Sequence, residues 1–545
     1  MIKRIFLILS MVMVLSSCGK VDPKIYDQDG PVADGDMLVE STVGDLTHLN
    51  PALVEDTSSN DIDNLIFNGL VRYNKNLEIE PDLAEKWIVS KDGKVITYYL
   101  RKGVKFHDGV EFTANDVLFT YQVFSDPGTN TPQGALYQDI KEVQIVDLYT
   151  VRVYYKKPYA PALGETFSAI LPKHLLEGKD INKDEFDRHP IGTGPYRFVE
   201  WKTAQKIVLD ANPDYYEGAP HIKKFILRII PDQTTEFLEL LNGGIDCIGG
   251  FMHGSLTAEQ YTHQTDIPKF KNYYNLYKTD TLEYTYIGWN NKNPLFKEKK
   301  VRQALTMAID RNSIIQNVGY GLSTICTGPF PKYSWANNPS VKPWPYDPDK
   351  AKQYLKQAGW KMGQDGILYK TINGKRTPFS FTLLFVQGSS TGEKIATIVQ
   401  QQLKLVGIYV ELQSHEWSTH ESQYIKPRKY EAFIGAWSIN LDPDCYQLFH
   451  SSQMGENQFN LLDFKNSRVD ELLVEGVRTL DVKKRQIIYR EIHKILNDEQ
   501  PCTFLTIPSQ LSAIHKRFKE YEMSMAGLTH PEKWFVPLNQ QKYNP

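Results

Sequence analysis

The second half of the chain repeats one unit: an amphipathic helix, a glycine, then a strand. Ile395, Ile398, Val399, Gln402 and Leu403 recur at helical spacing. The pattern stops at Gly407, and Ile408 to Leu412 follows with strand-forming residues. Upstream, Asp347-Pro348 supplies an N-cap and a first-turn proline, the helix Ala351 to Ala358 follows, and Gly359 marks its stop. Phe379 to Val386 reads as the next strand, and Val301, Ala304, Leu305, Ala308 and Ile309 as another helix. Elements in this order bury their apolar faces by layering helices on a sheet, so the fold class is α/β. The first half carries more strand signals. Leu38 to Val43 alternates, Asp92-Gly93 is a turn, and Lys94 to Leu100 follows as a strand. Thr113-Ala-Asn-Asp116 reads as a capping box with Asp in place of Glu. Beyond residue 36 no low-complexity linker or short repeat breaks the chain, which points to domains joined by several crossings.

The amino terminus constrains location. Lys3 and Arg4 precede an apolar run from Ile5 to Leu15, and Leu15-Ser-Ser-Cys18-Gly19 follows. The run is shorter than the roughly 20 residues a spanning helix needs, which is the shape of a cleaved secretory signal. Small residues before Cys18 and a glycine after it look like a bacterial lipobox, implying a lipid on Cys18 and cleavage before it. Residues 1–17 are then the signal peptide, and 18–36, polar and rich in Asp, Gly and Pro, a flexible lipidated tether. The localisation expected is extracytoplasmic and membrane-anchored, in the periplasm or on the outer face of the cell membrane.

With 545 residues, a formal net charge of −3 and 23% charged residues, the composition is that of ordinary globular domains. No basic patch marks a nucleic-acid partner. Cys247, Cys326, Cys445 and Cys502 form no C-x-x-C pair and have no metal-ligand spacing. They admit three full disulfide pairings, or four buried thiols.

Five stretches together resemble the family 5 extracellular solute-binding proteins of ABC importers, the peptide and nickel binders. They are Ala84-Glu-Lys-Trp87 through Leu100–Gly109 to Thr113–Val117; Gly192-Thr-Gly-Pro-Tyr196; Trp289-Asn290 with Pro294–Phe296, Val301–Ala304 and Ala308–Arg311; Tyr346–Pro348 with Ala358-Gly359; and Trp437 with Asp442-Pro-Asp444. They occur in family order from about Met37 to the end. The resemblance implies a two-lobed flytrap with an extra domain in the first lobe. Lobe I would comprise 37–69, 191–278 and 506–545, the extra domain 70–190, and lobe II 279–505, with crossings near Lys278 and Thr506. The expected partners are a peptide or other small solute between the lobes, ABC permease subunits, and the membrane through Cys18. The chain is expected to be a monomer without cofactor, bound metal or catalytic residues.

The same resemblance nominates ligand contacts. The turn Gly44–Pro51 offers Asp45, Thr47 and His48. Trp289 and Asn290 stand in a family motif. Trp417, Trp437 and Ser438 fall where family members flank ligand side chains with aromatics, and Trp suits varied groups through its large apolar face. Asn440 departs from well-known peptide binders, which place an Asp there to pair with the peptide ammonium. A neutral amide does not neutralise a buried cation. Either Asp442, Asp444 or Asp45 supplies the charge, or the ligand lacks a free ammonium at that point; Asp442 and Asp444 also read as turn residues around Pro443.

Other classes fit less well. His415-Glu-Trp-Ser-Thr-His420 superficially resembles H-E-x-x-H, but the spacing is five and not four, which turns the two rings about 140° apart on a helix. His107-Asp108 reads as a turn, and no G-x-S-x-G elbow is present. A nickel or metal-chelate binder stays open, although the thirteen His show no clustered pattern. So does a sensor or adhesin that keeps the fold without transport.

Overall fold

The computed structural model describes residues 23–543 apart from positions 253, 440, 456, 457, 522, 526 and 529. The signal segment, Cys18 and Asn440 therefore lie outside the described residues. Of the seven sheets among the described residues, four organise the molecule. In the first lobe, Met37–Thr42 pairs parallel with Lys224–Ile229, and Lys206–Ala211 and Tyr196–Lys202 extend that sheet antiparallel. Cys247–Ile248, Ser509–His515 and Tyr274–Asp280 form a second, smaller sheet. The extra domain is built on Ala84–Val89, Val95–Leu100, Thr150–Tyr155 and Ile140–Asp147, covered by the helix Ala114–Ser125. The second lobe is a six-stranded sheet in the order Thr324–Ile325, Cys502–Ile507, Glu283–Trp289, Ala432–Ser438, Ser380–Val386, Tyr409–His415.

Two adjacent strand-to-strand passages join the lobes. Tyr274–Asp280 leads into Glu283–Trp289 across residues 281–282, and Cys502–Ile507 leads into Ser509–His515 across residue 508. The Thr281 hydroxyl donates to the Pro508 carbonyl at 3.0 Å, so the passages are tied to each other.

Local chemistry fixes the elements. Thr113 and Asp116 form a reciprocal capping box on Ala114–Ser125. Asp347 caps Pro348–Gln357, and Gly359, at φ 88°, ends that helix in the left-handed region a side chain disfavours. The second-lobe sheet is covered on both faces. Trp289, Phe296, Phe379 and Phe381 lie on one side; Tyr284, Tyr286, Phe504 and Tyr489 lie on the other. Burial on both faces explains why its strands read as apolar runs.

The segment read as a flexible tether is bound from Pro23 onward. Pro23–Asp27 forms a 3-10 turn whose Tyr26 ring meets His515 edge-on at 4.8 Å. Gln540 donates to the carbonyls of Ile25 and Gln28, and Lys516 pairs with Asp27 at 2.7 Å. Asp36 joins Asp246 around the fully buried Arg517. The polar composition that suggested a linker instead supplies acceptors for lobe I donors. The four cysteines are buried free thiols.

Candidate functional site

The lobes face each other with the carboxyl ends of their parallel strands. In the second lobe, Ser380–Val386 runs parallel to Tyr409–His415 and to Ala432–Ser438, so all three end at one edge. Ser438 lies opposite Glu283, the first residue past a lobe crossing, so this edge faces the first lobe. There the parallel strands end at Thr42 and Ile229, releasing the loops 43–56 and 230–232 toward the same gap. Ligands of open α/β sheets lie outside strand carboxyl ends, which makes this cleft the candidate site. Its rims touch: Lys394 reaches Glu259 at 2.6 Å, Lys426 pairs with Glu55, and Tyr320 meets His263 edge-on at 5.1 Å. On the flank the extra domain meets the second lobe, where the Ala160 N–H donates to the Val477 carbonyl and Arg478 pairs with Asp139.

The first-lobe turn is firmly held. Asp45 accepts from the Trp201 indole at 3.0 Å and from the Ala204 N–H at 2.6 Å. Thr47 donates to Asp56, the N-cap of the helix Thr57–Ile66, at 2.5 Å. His48 Nδ1 meets Asp187 at 2.9 Å, and that hydrogen bond raises the imidazole pKa. Burial works to raise the Asp187 pKa, but His48 and the N–H groups of Leu49 and Asn50 bring it below the usual carboxylate value. Thr47 and His48 keep exposed surface beside the gap, while both Asp45 oxygens are committed to lobe I.

In the second lobe the nominated residues separate. Trp417 opens the helical segment that leads to Lys426, caps at Glu416, and is 48% exposed. Trp437 is half-buried, its ring edge-on to Phe459 at 5.6 Å, and Ser438 beside it is exposed at the strand end. Asp442 is held by Arg485 through two bonds of 2.8 Å, so its charge is neutralised within the protein. Asp444 accepts from the Tyr446 N–H, and burial with the neighbouring Asp442 pushes its pKa up to about 7. His420 is buried with Nδ1 unpartnered, and burial lowers its pKa to about 4, so the imidazole is neutral. His415 stacks on Tyr424 at 4.1 Å.

Trp289 and Asn290 do not join this group. They end a strand whose other end is at the crossing, about 20 Å away at 3.3 Å per residue. Trp289 is fully buried and donates to the Thr503 hydroxyl at 3.2 Å. Asn290 bonds the Tyr430 carbonyl and the Glu431 carbonyl. Their motif shapes the core of the lobe, not the cleft. The rim partners Glu55, Lys426, Glu259 and Lys394, with Asp187 and Arg485, were missed in the sequence. Each acts through a residue far away in the chain, and no local pattern marks such pairs.

Among the described residues, one group of His and acidic side chains has metal-ligand spacing: Glu217, His530 and Glu532. Glu217 is taken up by Arg72 at 2.6 and 3.1 Å, and His530 by Glu532 at 3.0 Å, so the cluster is satisfied as an ion-pair network.

Residues 78–458 match the family model for bacterial extracellular solute-binding proteins, family 5 middle region. The chain is 36% identical to the oligopeptide-binding protein AppA of Bacillus subtilis, over 98% of this chain and 99% of that one. The structure of Bacillus subtilis AppA in complex with a nonapeptide superposes with a TM-score of 0.86 at 35% identity, covering 93% of this chain and all of that one. NikZ from Campylobacter jejuni, in complex with Ni(L-His), gives a TM-score of 0.83 at 29% identity, covering 92% of this chain and 99% of that one. The two-lobed α/β fold is thus shared with binding proteins of known structure.

Proposed function

The chain belongs to the bacterial extracellular solute-binding proteins of family 5, and on that premise we propose that it captures oligopeptides between its two lobes and delivers them to the permease of an ABC importer. Lipid attachment at Cys18 would hold it outside the cytoplasm, and the protein would work as a monomer. Among the described residues no helix is long and apolar enough to cross a membrane. The family consists of transport binding proteins, and the step this chain performs is capture, not covalent chemistry.

The observation that carries the peptide reading is the near-complete match to an oligopeptide-binding protein whose nonapeptide complex shares this fold. The site chemistry supports a particular mode. Strand-end backbone groups and the faces of Trp417 and Trp437 suit a peptide of varied sequence. Asp442 is neutralised by Arg485, Asp45 is committed to Trp201 and Ala204, and position 440 is Asn. We therefore expect recognition through the peptide backbone and side chains without a demand for a free amino terminus. A ligand that adds contacts only when the rims meet shifts the protein toward closure.

Thermal unfolding with peptides of two to nine residues, each free and N-acetylated, tests this. A peptide at about a hundred times its Kd adds roughly 2.7 kcal/mol, enough to move the melting curve. Equal shifts for acetylated and free peptides are expected; shifts confined to free amines would show that an acidic residue does pair with the ammonium. A second reading, a metal chelate, is favoured by His420 on the Trp417 segment, a neutral imidazole whose Nδ1 has no partner. A shift with nickel–histidine and with no peptide would replace the peptide reading by that one.

A further inference from the structure

The helix Ser467–Arg478 is rooted in the second lobe, where Val469, Leu472 and Leu473 join the core of Tyr284, Phe504 and Tyr489. Its last turn leaves that core. Val477 is 5% exposed and lies in the core of the first lobe and extra domain; among the described residues of 279–505 it is the one buried there. One helix thus places side chains in two cores on opposite sides of the lobe crossings. An apolar side chain buried across such a boundary stabilises only the shut arrangement, because separation returns it to water.

Polar contacts surround this apolar knob. The last carbonyls of a helix have no partner within it. Thr479 donates to the Glu475 carbonyl at 2.9 Å and Arg485 to that of Gly476 at 3.0 Å, both from within lobe II. The Val477 carbonyl is met from outside, by the Ala160 N–H of the extra domain at 2.8 Å. Arg478 pairs with Asp139 and donates to the Pro158 carbonyl at 3.4 Å. Leu480 lies so close over Gly93, at φ 65°, that a Cβ there would collide with its Cδ1. Three segments of the extra domain, at 93, 139 and 158–160, therefore grip residues 477–480.

The passages between the lobes, at 281–282 and 508, leave the extra domain on the lobe I side. A rotation about them draws residues 477–480 out of this socket. The rim pairs Lys394–Glu259 and Lys426–Glu55 are part-exposed and screened by salt. The socket instead has a buried valine at its centre, and none of its residues belongs to the cleft turn or to the Trp417 and Trp437 segments.

We propose that the socket is a closure latch that works without ligand: it takes residues 477–480 of lobe II and sets what share of the receptor stands closed before a peptide arrives. This rests on the reading of capture by closure. When the closed, binding-competent state is a minor population, the apparent Kd rises by the factor by which that population falls, and equally for every ligand. The latch therefore sets affinity without touching specificity, which suits a receptor for peptides of varied sequence.

Small-angle X-ray scattering of the ligand-free protein, then calorimetry with trialanine and with an N-acetylated nonapeptide of mixed sequence, tests this. Val477→Asp is expected to raise the radius of gyration and to weaken both peptides by one common factor, at least about tenfold given what a buried valine contributes. Arg478→Ala is expected to act in the same direction, about two- to fivefold, as loss of a part-exposed pair does. Ligand-free scattering identical in the wild type and both variants overturns the proposal, as does a loss confined to one of two peptides that the wild type binds. If Val477→Asp does not fold, Arg478→Ala combined with Leu480→Ala decides by the same measurements. Failure of both peptides to bind the wild type would remove the peptide reading and leave the scattering to judge the latch.

Discussion

Trp289 packs against Phe296 and Phe381 with its indole N–H on Thr503, whereas Trp417 stands half in solvent beside the cleft. Their removal should therefore be felt in different measurements. Trp289→Ala is expected to cost about 3–5 kcal/mol of stability through the cavity it leaves. Trp417→Ala should change stability by no more than about 0.5 kcal/mol, as surface substitutions do, yet weaken a bound peptide roughly tenfold through loss of an aromatic contact. Melting curves and calorimetry with one peptide distinguish the two; a stability loss at Trp417 matching that at Trp289 would place Trp417 in the core. Nothing in the sequence separates these residues, because burial is set by which strand end a residue occupies. The same holds for Asp442, whose partner Arg485 lies on a helix 43 residues further on. Residue types at the site were legible; their commitments to distant partners were not.

At the scale of elements, the helix Ser390–Lys404 and the segment from Trp417 to Lys426 form the second-lobe rim, and each crosses the gap by one ion pair. Both pairs are part-exposed, so each contributes only about 0.2–1 kcal/mol and is screened by salt. Because they exist only when the lobes meet, they act on closure. Lys394→Ala with Lys426→Ala is expected to weaken peptide binding about three- to tenfold at low salt, in line with two such pairs, and to remove much of the salt dependence of the wild type. Calorimetry at low and high NaCl checks this; identical salt dependence in both proteins would mean that the pairs play no part in closure. The elements themselves were largely legible, since their signals are local: the Thr113–Asp116 box, the Asp347 cap, and Gly359 and Gly407 at positive φ. The sheet order was not, because strand neighbours such as Glu283–Trp289 and Cys502–Ile507 are more than two hundred residues apart.

For the whole molecule, buried acids set how stability follows pH. Burial raises Glu236 to about 7 and Glu40 to about 8, so the folded state favours their neutral forms. A carboxyl raised in this way contributes stability fully below its unfolded value near 4.5 and loses it as pH rises through the folded value. Glu236→Gln keeps an acceptor for Ser41 and removes the titration. The variant should gain on the wild type by about 1–3 kcal/mol between pH 5 and pH 8, measured by denaturant unfolding. Parallel curves would show that Glu236 is ionised in the fold.

The docked amino-terminal segment fixes where on lobe I a tether would attach. It binds at His515 and Gln540, and His515 ends a strand that runs some 20 Å away from the crossing at residue 508. With a lipid on Cys18, only the five steps to Pro23 separate bilayer from protein, and these reach about 18 Å at full stretch. An anchor at Cys18 would moor the receptor by the far pole of lobe I, close above the lipid headgroups. Lobe II would then be the lobe that swings, its arc relative to the bilayer set by that mooring.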